Sequence, residues 1–198
     1  MSKNKKTLTR IEQGDEIIRN HTGWAVAAGL IPVPLADYFA VSGIQLDMLR
    51  KLSELYQVDF SEDKGKASIA MLAGAGFARM FTGFAKAIPG VGTLIGGVST
   101  AVASGASTYA LGEVFQRHYE GGGTLLEGTD VNVIKTWYQE ALNRGKELAT
   151  SLCALRKKSV SEDDLSKEEA LENLNDLREN GFVTAEEFEK MKKRIMAV

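Results

Sequence analysis

Cysteine, histidine and proline are all scarce in this chain, and each shortage closes off a class of chemistry. Cys153 is the only cysteine, so an intramolecular disulfide is excluded and a reducing, cytoplasmic setting is expected. On a helix it reads as a small apolar side chain. The two histidines, His21 and His118, stand far apart with no cysteine or carboxylate at metal-ligand spacing. No metal site is expected, and each histidine reads as a packed or interfacial side chain. A Gly-x-x-x-x-Gly-Lys-Ser/Thr phosphate loop is missing, so the chain is not expected to be a GTPase itself. Gly90 to Gly96 has one residue too many for a dinucleotide loop and no strand before it. Strand signals are nearly absent throughout. The first ten residues carry Lys3, Lys5, Lys6 and Arg10 and no acid, but no apolar run follows them, so no secretory signal is expected. A net charge of −2 gives no case for binding nucleic acid. No cofactor and no catalytic residue emerge from this survey.

What is abundant is glycine, and it is concentrated. Ala67 to Gly112 holds nine of the twenty glycines and, apart from Arg79 and Lys86, no charge. At its middle Ile88-Pro89-Gly90-Val91-Gly92 breaks one helix from the next. Small residues recur in steps of four on both sides: Ala70, Gly74, Ala78 and Thr82 before the break, then Gly92, Gly96, Thr100, Ser104 and Thr108 after it. Such a ridge lets two helix backbones approach closely. The stretch therefore reads as a tightly packed helical hairpin, with Gly74, Ala78, Gly92, Gly96, Thr100 and Ser104 as its packing positions. Arg79 and Lys86 share one face, which admits either an anionic contact, such as lipid headgroups, or two snorkelling side chains. Thr93 to Gly112 would span about 30 Å as a helix. Its Gly, Ser and Thr content gives only a modest gain on transfer to lipid, and Arg79 in the preceding arm would be costly there. A soluble or peripheral fold that meets membranes is the reading, with a spanning hairpin as its alternative.

Around that stretch the chain reads as amphipathic helices. Thr9 and Glu12 form a capping box opening a helix that runs to about Gly29. Pro32 and Pro34 end it, and a second helix follows from about Leu35 to Tyr56, with Asp37 and Gln45 near its apolar side as a candidate structural polar pair. The hairpin's second arm should continue through His118 and Tyr119 to the Gly121-Gly122-Gly123 break. Another amphipathic helix covers about Asp130 to Lys157. Residues 1–158 make the body, 159–170 a charged linker and 171–198 a two-helix appendage. In that appendage Asn180-Gly181 caps one helix and Thr184 with Glu187 opens the other. Two such helices cannot bury their apolar stripes alone, so Leu174, Leu177, Phe188 and Ile195 are expected against the body, a partner or another copy. The fold class is all-α: a helical-hairpin bundle with a glycine-rich central hairpin and a small appendage.

Several of these residues occur in the order of a known family. Gly29-Leu30-Ile31-Pro32-Val33-Pro34-Leu35-Ala36-Asp37, then Gln45, Met48 and Tyr56, then Ile88 to Gly92 and Thr108 to Gly112 resemble the bacterial YcjF-like family over about residues 11–119. That family has no established biochemical activity. The resemblance implies association with small GTP-binding proteins and with membranes. Gln57 departs from the pattern, because glycine commonly follows that tyrosine. Residues 171–196 resemble the short C-terminal domain called SHOCT, which implies oligomerisation or membrane recruitment.

The function expected is that of a non-enzymatic interaction or scaffold protein. It is expected to be homo-oligomeric, to lie at the inner membrane or be inserted in it, and to work with a small GTP-binding protein. The alternative is a membrane-inserting or pore-like hairpin protein.

Overall fold

Thr9 and Glu12 close the first helix as their spacing predicts. The Thr9 N–H donates to Glu12 Oε2 at 2.8 Å and the Glu12 N–H to Thr9 Oγ1 at 3.2 Å. Donors that a first helical turn leaves open are thereby paired. The computed structural model describes residues 8–31, 36–72, 93–125, 129–158 and 167–197. Its helices are α1 (Arg10–Gly29), α2 (Ala36–Tyr56), α3 (62–72), α4 (Thr93–Glu120), α5 (Val131–Lys158), α6 (Lys167–Glu179) and α7 (Ala185–Ala197). Among the described residues there is no strand, and the protein is all-α.

Three helices end on the same device. After α6 the Phe182 N–H donates to the Leu177 carbonyl and the Gly181 N–H to that of Arg178, both at 2.9 Å. After α4 the Gly123 and Gly122 N–H groups reach the carbonyls of His118 and Tyr119 in the same pattern. This is the Schellman ending, which needs one residue in the left-handed region. Gly181 (φ +77°) and Gly122 (φ +79°) supply it without a Cβ clash. After α2 the ending is built identically, from Val58 to Ser53 and Gln57 to Glu54, but the left-handed residue is Gln57 at φ +60°.

α4 is the central helix, packed along α1 on one side and α5 on the other, while α2 closes against α1 and α4. Backbones touch at these crossings. A Cβ on Gly29 would lie 2.5 Å from Ala101 Cα, and one on Gly145 would lie 2.7 Å from the Ala106 carbonyl oxygen. The main core gathers Ile18, Met48, Leu52, Leu111, Phe115, Ile134 and Tyr138 from α1, α2, α4 and α5. A smaller cluster at one end joins Val26 and Leu30 of α1, Ala101 of α4, and Ala149 and Cys153 of α5. The sequence hairpin over 67–112 is only partly described: α4 is its second arm, and the break at Pro89 lies outside the described residues. No described helix is long and apolar enough to cross a membrane. α6 begins at Lys167, inside the stretch 159–170 read as linker, and Ala170 is already buried.

Candidate functional site

The appendage is seated on the body. Leu174 and Leu177 of α6 and Phe188, Met191 and Ile195 of α7 are buried in one cluster with Ala25, Ala28 and Ile31 of α1 and Ala40, Val41 and Ile44 of α2. Spacings of three and four residues bring the α6 and α7 stripes to one side each, and Thr184 with Glu187 fixes where α7 starts: the Thr184 N–H donates to Glu187 Oε2 at 2.9 Å. The guanidinium carbon of Arg178 stands over the Phe188 ring, 4.2 Å from its centre, a cation–π contact. The four tail residues singled out in the sequence therefore meet the body of their own chain.

The turn between α6 and α7 carries Phe182 to a polar cluster on the body. Its ring centre lies 5.7 Å from Trp24 and 6.0 Å from His21, the latter edge-on. Gly43 makes room for it: a Cβ there would sit 3.0 Å from the Phe182 carbonyl oxygen. Behind the ring, His21 Nδ1 faces the Ile17 carbonyl at 2.6 Å and Nε2 faces Asp47 Oδ2 at 3.0 Å. Both ring nitrogens thus face oxygen atoms, one on α1 and one on α2. Asp47 also accepts from Arg50 and, at 2.6 Å, from Lys51. Burial works against the Asp47 charge, yet the hydrogen bonds from His21, Lys51 and Arg50 hold its carboxyl down at about 2. Alongside lies an open cleft of about 1150 Å³ between α2, α3 and the α6–α7 turn, with Arg50, Phe60, Lys66 and Glu187 on its walls.

The interior of the body is partly polar. Gln45, 2 % exposed, donates from Nε2 to Ser107 Oγ at 2.9 Å and Thr108 Oγ1 at 3.1 Å. Its partners are thus on α4; the Asp37 side chain lies outside the described residues. Ser53 Oγ and the Tyr119 hydroxyl are 2.9 Å apart, and burial pushes the Tyr119 phenol up to about 12. His118 is buried against Gly123, and that burial lowers its pKa. Paired hydroxyls and amides of this kind tie α2 to α4 and offer no nucleophile with a base beside it. Among the described residues no group of His, Cys, Asp and Glu could hold a metal ion.

Of the expected packing positions, Ser104 is fully buried and Thr100 half-buried on α4, with the Thr100 backbone at the Gly29 crossing. Gly96 belongs to α4, but its surroundings lie outside the described residues, as do Gly74, Ala78, Gly92, Arg79 and Lys86. The tightest approaches to backbone among the described glycines fall on Gly29 and Gly145, neither of them an expected packing position. For Gly145 the available signal was a lone glycine inside an otherwise amphipathic helix, whereas Gly29 is the last residue of α1 and read as a helix end.

Known proteins resemble this chain in both its body and its tail. The short C-terminal domain SHOCT matches residues 169–196. The "Magnetosome membrane protein 22" of Magnetospirillum gryphiswaldense is 42 % identical over 158 residues, covering 77 % of this chain and 80 % of that protein. No solved structure matches. A domain of unknown function, DUF697, matches residues 2–147, and the chain belongs to that family.

Proposed function

We propose that this protein is a membrane-associated, non-enzymatic helical scaffold that self-associates through its C-terminal helices and works with a small GTP-binding protein. The observation that carries the reading is the seating of α6 and α7. They bury their stripes in a cluster of their own on α1 and α2, separate from the main core. A module wrapped this way is interchangeable: the same seat on a second copy offers the same side chains, and exchange of tails links copies without any new surface. The relative from Magnetospirillum gryphiswaldense is by its name a membrane protein, which supports the membrane part. The GTP-binding partner rests on the ordered motifs from Gly29 to Gly112.

Membrane recovery and mass test the proposal together. The full chain should sediment with membranes, come off in alkaline carbonate, and exceed the monomer mass by light scattering at high concentration. Release by detergent alone would favour an inserted hairpin. Absence from the membrane fraction, with monomer mass at every concentration, would overturn the proposal.

A further inference from the structure

The geometry points to a lipid-facing patch where the end of α1 meets the end of α5, shaped for an anionic bilayer surface. This rests on the membrane reading above and says which part of the protein makes the contact. A groove of about 500 Å³ opens there, walled by Arg19, Gly23 and Trp24 of α1 and Leu152 and Leu155 of α5. Leu155 is 66 % exposed, more than any other large apolar side chain described. A leucine so placed on an otherwise amphipathic helix gives up transfer free energy that any apolar partner would recover. Trp24 stands beside it half-buried, and indole rings favour the headgroup level of a bilayer.

Charge selects the partner. No acidic residue lines the groove, Arg19 does, and the last three residues of α5 are Arg156, Lys157 and Lys158. An apolar groove edged by Arg19 and an indole, with no acid in its lining and on a helix whose last three residues are basic in sequence, matches an anionic lipid surface. The place in the fold agrees. The cluster beneath the groove unites the end of α1, the start of α4 and the end of α5, so the patch lies at the end of the bundle where the glycine-rich stretch enters α4. Because no described helix can span a bilayer, contact by a surface patch is the mode that these residues support.

Purified full-length protein floated with vesicles of phosphatidylcholine and about 30 % phosphatidylglycerol tests the assignment. The native chain should bind, and should lose binding as salt is raised. Leu155→Glu and Arg19→Glu should each weaken binding by about tenfold, through lost insertion and reversed charge. Val133→Glu is the control, an exposed apolar residue near the opposite end of α5, and should bind as the native chain does. Circular dichroism confirms that each variant is folded. Equal binding by native, Leu155→Glu and Arg19→Glu chains would overturn the patch and leave the membrane reading intact. If the native chain ignores vesicles yet sediments with cell membranes, a protein anchor holds it, and the patch is likewise overturned. If it does neither, the membrane reading falls as well.

Discussion

Gln57 is a side chain where the backbone asks for none. Its φ of +60° places Cβ against the following carbonyl, a cost of about 1–2 kcal/mol that glycine escapes. The α2 ending keeps its two Schellman hydrogen bonds nonetheless. Gln57→Gly should therefore stabilise the protein, by about 1 kcal/mol once the greater freedom of glycine in the unfolded chain is subtracted, and a urea midpoint shifted upward would show it. A lower midpoint would mean that the exposed glutamine side chain contributes more than the backbone loses. Two titrating residues among those described, His118 and Asp47, contribute to the acid response. His118 has its pKa lowered by burial, so the folded state holds fewer protons there than the unfolded state. Its contribution is complete above the ordinary histidine value and declines as pH falls through it, no more steeply than about 1.4 kcal/mol per pH unit. The Asp47 carboxyl, held at about 2 against an ordinary 3.8, has the same sign at lower pH: its contribution is present above 3.8 and lost on approach to 2. Stability measured from pH 7 to 5 should fall, and His118→Asn should flatten that slope while leaving the drop below pH 4.

At the scale of elements, the helix ends were legible and the helix contacts were not. Thr9 with Glu12, Thr184 with Glu187, and Gly181 are local chemistry, decided within a few residues, and each terminates a helix where its type and spacing imply. A small-residue ridge names positions where a close neighbour could fit but carries no information about the neighbour. Gly29 and Gly145 became interpretable only once Ala101 and Ala106 were opposite them. Gln45 is similar: its apolar surroundings announced a buried amide, whereas Ser107 and Thr108 as its acceptors lie more than sixty positions away in sequence. The seat for Phe182 on Trp24 and His21 had no sequence signal at all. The crossings are sensitive to a single methyl group. Gly145→Ala should cost about 1–3 kcal/mol by overpacking against the Ala106 carbonyl, measured as a lower melting temperature. Ser104→Ala makes the contrast, because the Ser104 hydroxyl is buried without a hydrogen-bond partner among the described residues. Removing it should leave stability unchanged or slightly raised.

For the molecule as a whole, the question is what depends on the tail. Truncation after Val160 removes α6 and α7 and bares Ala28, Ile31, Val41 and Ile44, while the main core holds none of the removed residues. The truncated chain should keep its helical circular dichroism, bind an apolar dye that the full chain does not, and lose concentration-dependent association. Loss of helix beyond the two removed would show that the seat also holds the body together. Leu177→Ala is the milder version. At 0 % exposure its side chain should contribute about 2–5 kcal/mol to docking, and hydrogen exchange in α6 and α7 should accelerate well before that in α4.

The seating of the last helices on the first has a consequence for synthesis. A ribosome makes α1 and α2 early, and their apolar side must then wait for residues near the C-terminus, roughly 10–30 s later at typical elongation rates. Through that interval the nascent chain displays an unpaired sticky surface, the kind that chaperones hold. Only a chain extended through α7 can cover it, so this surface stays open until α6 and α7 have been made. Chains interrupted or clipped before α6 should be cleared faster than chains that carry α6 and α7, and pulse-labelling the two side by side would show the difference.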